Sequence, residues 1–229
     1  MAAYDLEEQE QIAELKAWWK VYGNRLVNAA TVIALVVVAW QGWNWYQRNQ
    51  SGQASMIYGV LQKAVQEKDT QRIKAASGEL IEKYGRTSYA SLGALSSAKA
   101  MVDAGDNQTA KAQLLWAVDH AKDELRDLAR LRAALLLLDE KAYDLAMKQL
   151  EGASSPAFEV RFQDTRGDIL SAQGKKSEAV VAYQGALSKL AELEKSGKTA
   201  GAGQDWQSQS NAVFRDLITQ KIDALGGAK

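Results

Sequence analysis

The chain has 229 residues, with 28 lysines and arginines against 28 aspartates and glutamates, one histidine, one proline and no cysteine. A net charge of zero argues against a nucleic-acid-binding protein, because no excess of cations is present to displace phosphate counterions. Without cysteine and with a single histidine, the chain lacks a thiolate nucleophile and the usual metal ligands, so neither a metal nor another cofactor is expected.

The N-terminal part of the chain predicts one membrane-spanning helix. Residues 26–47 contain no charged side chain. As a helix they would be roughly 33 Å long, at ~1.5 Å per residue, which is enough to cross a hydrocarbon layer of about 30 Å. Aromatic residues lie on both sides of the stretch, as they do where rings meet lipid headgroups. This membrane-interface belt comprises Trp18, Trp19, Tyr22, Trp40, Trp43, Trp45 and Tyr46.

Two other interpretations of this stretch stay open, a buried core helix and a cleaved signal peptide. A core helix seldom runs so far without a charge. A signal peptide begins with a short basic region, whereas residues 1–25 are long and acidic. Three cations precede the span and two follow it within a comparable distance, which favours a cytoplasmic N-terminus. These cations are Lys16, Lys20 and Arg25 before the span and Arg48 and Lys63 after it.

The rest of the chain carries a repeat of small residues that is typical of tetratricopeptide motifs. In such motifs small residues hold the eighth, twentieth and twenty-seventh positions and a large residue holds the twenty-fourth. The four copies are Gly167, Ala179, Tyr183 and Ala186; Ala134, Ala146, Leu150 and Ala153; Ala98, Ala110, Leu114 and Ala117; and the weaker Ala64, Ala76 and Leu80, where Lys83 breaks the last position. The intervals between copies are 34, 36 and 33 residues. Chance alanine periodicity is the alternative explanation.

These patterns predict an all-α protein, in which one transmembrane helix precedes an α-solenoid of about four helix pairs and a C-terminal capping helix. The expected segments are an acidic tail with an amphipathic aromatic end (1–25), the transmembrane helix (26–47), the repeat domain (48–195), a flexible linker (196–204) and an amphipathic capping helix (205–229). The cap is expected because the last repeat of a solenoid needs a polar outer face. Alternatively, the last helix lies in the groove of the repeats or docks on a partner.

Transferring the geometry of tetratricopeptide motifs places a candidate groove on the first helix of each pair. The lining residues of this polypeptide- or partner-binding groove are Tyr58, Leu61, Val65, Leu92, Leu95, Val102, Leu128, Leu131, Leu135 and Leu138. In the fourth pair the same positions are polar, with Arg161, Asp164, Asp168 and Ser171. A helix that is apolar nearly all round, such as residues 128–138, is either covered by another element or exposes a binding patch.

No arrangement of residues in the chain indicates catalysis. The single histidine, His120, has no oriented nucleophile or base predicted beside it, so capping or solvation explains it better than chemistry. The chain is therefore not expected to be an enzyme.

Several segments resemble the YfgM family of ancillary subunits of the bacterial Sec translocon. They are residues 16–19 (KAWW), 43–46 (WNWY), 164–175 (DTRGDILSAQGK) and 220–225 (QKIDAL), and the similarity covers nearly the whole chain in order. The resemblance implies a single-pass protein of the bacterial inner membrane, with a cytoplasmic N-terminus and a periplasmic repeat domain. It also implies association with the SecYEG translocon and with a PpiD-like periplasmic chaperone.

The function expected from this resemblance is a non-enzymatic subunit that assists polypeptides emerging from the translocon. Its partners would be the channel, the chaperone, unfolded secreted proteins and membrane lipid, but no nucleic acid. The alternative is a membrane-anchored scaffold or adaptor of a cell-envelope or signalling complex that binds no client.

Overall fold

A computed structural model describes residues 2–153, 155–195 and 204–226 of the chain. These residues form nine α-helices: α1 (Ala2–Gln66), α2 (Thr70–Tyr84), α3 (Ser88–Asp103), α4 (Asn107–His120), α5 (Asp123–Asp139), α6 (Tyr143–Gln149), α7 (Pro156–Ala172), α8 (Lys176–Lys195) and α9 (Gln204–Ala224). The predicted all-α class, with one long apolar helix before a repeat domain, is confirmed. Residues 196–203 of the predicted linker lie outside the described residues.

The chain divides into two compact units, Met1–Gly52 and Gln53–Lys229. The first unit consists of the greater part of α1. This helix contains an 18-residue window with a mean hydropathy of 1.7, of which no residue is buried, and it is long and apolar enough to cross a membrane. All seven aromatic residues of the predicted belt are exposed. The Thr31 hydroxyl donates to the Val27 carbonyl at 2.8 Å, so this polar group is satisfied without water.

In the second unit, residues 53–66 of α1 and helices α2 to α8 form four helix pairs joined by turns of one kind. Each turn has one residue in the left-handed region, at Lys68, Gly105, Lys141 and Gly174. The amide of the next residue donates to a carbonyl five residues earlier, from Asp69 to Ala64, Asp106 to Met101, Ala142 to Leu137 and Lys175 to Leu170. These bonds satisfy carbonyls that the end of the first helix leaves free. The turns therefore mark equivalent positions in the four repeats.

Measured from these turns, the first repeat has a different register from the one that the sequence predicted. The left-handed residues are 37, 36 and 33 positions apart, whereas the predicted first interval was 34. Leu61 and Ile73, and not Ala64 and Ala76, therefore occupy the eighth and twentieth positions of the first pair. Ala64 and Ala76 are buried as well, at 0% and 6% exposure, which is why the alanine spacing looked regular.

Where its two helices meet, the first pair has large residues at positions that hold small residues in the other pairs. In the other pairs the eighth and twentieth positions hold small buried residues, which let two helices approach closely: Ala98 and Ala110, Ala134 and Ala146, Gly167 and Ala179. In the first pair Leu61, Ile73 and Leu80 are large and fully buried. Gly93 of α3 makes room for them, since a Cβ atom there would lie 2.6 Å from Leu80 Cδ1.

Local sequence explains where helices α2, α3 and α4 begin. Asp69, Thr87 and Asp106 precede α2, α3 and α4, and the side chain of each accepts a hydrogen bond from an amide three residues on. Such caps satisfy amides that have no partner within the helix. Pro156 is the first residue of α7, where a proline costs the helix no hydrogen bond.

Replacing Gly167 by alanine should overpack the fourth pair. A Cβ atom at Gly167 would lie 2.3 Å from Cε1 of Tyr183, whose hydroxyl is held by Asp168 at 2.7 Å. We expect Gly167→Ala to lower the free energy of unfolding in urea by about 1–3 kcal/mol. The control is Gly78→Ala in α2, where a Cβ atom would meet nothing within 4 Å. That variant should gain about 0.5–1 kcal/mol, because alanine favours the helix over glycine. Equal stability of Gly167→Ala and the wild type would contradict this packing.

Candidate functional site

The structure leaves most of the predicted groove residues accessible. Tyr58, Val65, Leu92, Leu128, Leu131 and Leu138 are half-buried on the first helices of the pairs. Val102 and Leu135 are the most exposed of the set, at 42% and 41%. An exposed pair of large apolar residues on a folded surface offers area that a partner can remove from water.

Two of the predicted lining residues, Leu61 and Leu95, belong to the core and not to the groove. Leu61 is fully buried because the shifted register puts it where the first two helices meet. Leu95 is 3% exposed, and its carbonyl accepts a hydrogen bond from Arg132 of the neighbouring first helix α5. Asp164, the equivalent residue of the fourth pair, is also buried, and its carboxylate contacts Lys221 of α9.

Val102 and Leu135 come together at a cavity of about 270 Å³ between α3 and α5. Buried apolar residues form its floor, and charged residues of both signs stand around it. The lining comprises Ala98, Lys99, Val102, Asp103, Leu114, Arg132, Leu135, Leu136 and Asp139. The cavity can therefore accept an apolar group and offers charged side chains to its polar neighbours.

Arg132 is the groove residue that sequence reasoning missed. It lies in the apolar segment 128–138 and is half-buried, and burial lowers the pKa of its guanidinium. Its Nη1 donates to the Leu95 carbonyl at 3.2 Å. Two arginines, Arg130 and Arg132, interrupt the apolar run of this helix in the sequence, but the spacing of its apolar residues does not indicate which of them lies at the groove.

A second cavity, of about 570 Å³, lies where α3, α5 and α7 begin. Its lining is mostly polar and includes Arg86, His120 and Lys122. The His120 ring stacks on Trp116 with centroids 4.5 Å apart, and its Nδ1 lies 2.9 Å from the Trp116 carbonyl. In the described part of the chain no group of three His, Asp or Glu side chains is placed to hold a metal ion.

Residues of α9 contact three of the polar residues of the fourth pair, namely Arg161, Asp164 and Asp168. Lys221 Nζ lies 2.7 Å from Asp164 Oδ1 and 2.8 Å from Asp168 Oδ1. The Tyr183 hydroxyl donates to Asp168 at 2.7 Å, and the Arg161 guanidinium lies 3.8 Å from the centre of the Phe214 ring. These contacts fasten one face of α9 to α7 and α8.

Burial and ion pairing act in opposite directions on the groups of this network. Burial lowers the pKa of Lys221, but its hydrogen bonds to Asp164 and Asp168 outweigh this effect, so the pKa is raised above 10.5. Burial raises the pKa of Asp164 above 3.8, against the effect of Lys221. Burial, together with the hydrogen bond to Asp168, also raises the pKa of Tyr183. Lys221, Asp164 and Asp168 thus form a partly desolvated network in which the ammonium group contacts both carboxylates.

Helix α9 caps the solenoid. It packs on α8 as α3 packs on α2 and α5 packs on α4. Phe214, Ile218 and Ile222 complete a core with residues of α7 and α8. The predicted capping helix is therefore confirmed, and it also contacts the polar residues at the end of the groove.

Stacked helix pairs with a repeated turn, small residues between helices and a terminal cap define a tetratricopeptide-like α-solenoid. Residues 16–227 match the tetratricopeptide repeat-like domain family. The structure is also similar to MamA 41-end from Desulfovibrio magneticus RS-1, with a TM-score of 0.48 and 17% sequence identity over 77% of this chain and 96% of that one.

Curated proteins with similar sequences identify the family of this chain more specifically than the fold does. A protein of Neisseria gonorrhoeae is 28% identical over 98% of this chain and 100% of its own length. A protein of Haemophilus influenzae is 30% identical over 84% and 94%, and one of Escherichia coli is 27% identical over 77% and 85%. Each is named "Ancillary SecYEG translocon subunit". The chain belongs to this family, as its resemblance to the YfgM proteins indicated.

Replacing Lys221 by methionine should loosen the cap. The change leaves two carboxylates, Asp164 and Asp168, without their cation, so we expect a loss of about 1–3 kcal/mol in the free energy of unfolding. The control, Lys189→Met on α8, removes an exposed pair with Glu192 of the same helix and should cost less than about 0.5 kcal/mol. Hydrogen exchange should show faster opening of α9 in Lys221→Met alone. Similar exchange in the two variants would contradict the role of Lys221.

The stabilisation by Lys221 should depend on pH in a defined direction. Its folded pKa is raised, so its contribution is complete below the unfolded value of about 10.5 and is lost as pH rises through the higher folded value. The difference in unfolding free energy between the wild type and Lys221→Met should therefore stay constant from pH 7 to 10 and shrink above pH 10.5. A difference that grows at high pH would contradict this assignment.

Proposed function

We propose that this chain is a non-enzymatic ancillary subunit of the bacterial Sec translocon. The observation that carries the proposal is similarity along nearly the whole chain to proteins that bear this name, up to 98% of its length. The fold supports it, since solenoids of this class present extended surfaces to other proteins. We infer a binding role in place of catalysis, because the groove exposes large apolar side chains, Val102 and Leu135, that a partner can remove from water.

We further propose a single-pass topology in the inner membrane, with a cytoplasmic N-terminus and a periplasmic repeat domain. Residues 26–47 would cross the membrane, with residues 1–25 on one side and the repeat domain 48–195, the linker 196–204 and the cap 205–229 on the other. The exposed aromatic belt and the absence of burial in the apolar window support the span. The small excess of cations before it supports the direction.

In this position the groove would bind chaperone partners, of which a PpiD-like protein is one, and secreted polypeptides as they leave the channel. The binding energy would come from covering exposed apolar side chains, worth about 25 cal/mol per Å² before the cost of ordering the client. Val102 and Leu135 are the groove residues with the most area to offer. If the groove takes no client, the chain is a membrane-anchored scaffold.

Single cysteines test the topology, because the chain has none of its own. In intact spheroplasts, Asn107→Cys at the exposed start of α4 should react with a membrane-impermeant maleimide. Lys16→Cys, which is exposed on the other side of the apolar stretch, should react only after lysis. Mass shift on a gel measures both reactions. The reverse pattern would place the repeat domain in the cytoplasm.

Association and client binding require two separate measurements. SecYEG should co-purify with the full-length chain from membranes in mild detergent, and its absence would overturn the translocon assignment. A photo-crosslinking residue at Leu135 should capture arrested secretory chains, whereas the same residue at Leu145 of α6 should not. Leu145 is 57% exposed and lies outside the predicted groove. Co-purification without crosslinks from Leu135 would favour the scaffold.

A further inference from the structure

Arg132 is a half-buried cation that the described part of the chain does not neutralise. Its guanidinium has a hydrogen bond to a backbone carbonyl, that of Leu95. The ion pairs formed among the described residues do not include it. A partly desolvated charge is costly unless it is paired, and its guanidinium has five N–H donors, more than one carbonyl can satisfy.

The fourth pair contains the counterpart that Arg132 lacks. Leu95 and Asp164 are equivalent, since each lies ten residues before the left-handed residue of its turn, Gly105 or Gly174. Lys221 of the capping helix reaches the carboxylate of Asp164 at 2.7 Å. Arg132 of α5 reaches the same position on α3, but there it meets a leucine and finds only the carbonyl. At equivalent positions, Lys221 thus meets the carboxylate of Asp164, whereas Arg132 meets only the backbone carbonyl of Leu95.

The cavity beside Arg132 has room for an apolar group that could bring the anion. Its floor is formed by buried residues such as Ala98 and Leu136, and its mouth is bordered by Val102 and Leu135. Three other charged residues line it, Lys99, Asp103 and Asp139, and all of these are exposed. Water and salt screen exposed charges much more than half-buried ones. The charge that a group inside the cavity experiences most strongly is therefore that of Arg132.

We propose that Arg132 binds a carboxylate side chain of a polypeptide partner, while a large apolar side chain next to it fills the cavity between Val102 and Leu135. The inference rests on the proposed function, because it names the kind of segment that the groove selects. A polypeptide fits better than a small molecule, since half-buried leucines such as Leu128 and Leu131 extend the apolar surface along α5 beyond the cavity. The recognised sequence is an acidic residue within an apolar segment.

The test uses the full-length chain in detergent and two short, end-blocked, fluorescent peptides. Both peptides carry phenylalanine and leucine on either side of one central residue within glycine and serine flanks. The central residue is glutamate in one and glutamine in the other. Fluorescence anisotropy should show about tenfold tighter binding of the glutamate peptide, as expected for a charge-assisted hydrogen bond that an amide cannot replace. Equal affinities of the two peptides would overturn the proposal. Failure of both peptides to bind would also overturn it.

Variants then assign the preference to Arg132. Arg132→Gln keeps a donor for the Leu95 carbonyl but removes the charge, so the two peptides should bind equally. Arg86→Gln, at an exposed arginine of the other cavity, should retain the tenfold preference. A preference that survives in Arg132→Gln would overturn the proposal.

A second pair of variants keeps Arg132 in place, in case its replacement disturbs folding. Val102→Glu introduces a carboxylate at the exposed mouth of the cavity and should abolish the preference, whereas Val102→Gln should keep it. An unchanged preference in Val102→Glu would count against the site. Co-purification with SecYEG judges the translocon assignment independently, so a failure of the peptide test leaves that assignment standing.

Discussion

The close approach of the two helices within each pair is the constraint on which the rest of the repeat domain depends. Small buried residues such as Ala98 and Ala110, or Gly167 beneath the Tyr183 ring, allow the backbones to come together. The same turn follows every first helix, and the first helix α5 contacts the first helices α3 and α7 on either side of it. That arrangement brings Val102 and Leu135 to one cavity and gives Lys221 of the cap its two carboxylates.

Much of the fold could be predicted because its determinants are local or periodic. A long stretch without charge between aromatic residues indicates a span, and small residues at a constant interval indicate stacked helix pairs. The register of the first pair could not be obtained in this way. There the large residues Leu61 and Ile73 replace the small ones, and the turn uses Lys68 where the second and fourth repeats have glycine. Ala64 and Ala76 lie three residues after Leu61 and Ile73, and their own spacing matched the one expected for the repeat.

The groove was predictable only in part, because its properties depend on contacts between helices that are distant in sequence. Periodicity identified an apolar lining but not the burial of Leu95, which follows from packing against the next first helix. Arg132 contacts Leu95 across 37 residues, and Lys221 contacts Asp164 across 57. A pattern read along one helix contains no information on either contact. The combination of an apolar floor with one half-buried cation emerged only in three dimensions.

The reversed packing of the first pair has a consequence for the modularity of this domain. Leu80 packs against Gly93 of the next repeat, where a Cβ atom would lie 2.6 Å from Leu80 Cδ1 and force a shift. The first hairpin and the second are therefore matched at this contact, so a hairpin with a side chain at the Gly93 position would have to displace Leu80 in order to stack on the first one. Rearrangement of repeats, during evolution or by protein engineering, is correspondingly constrained at the start of the array.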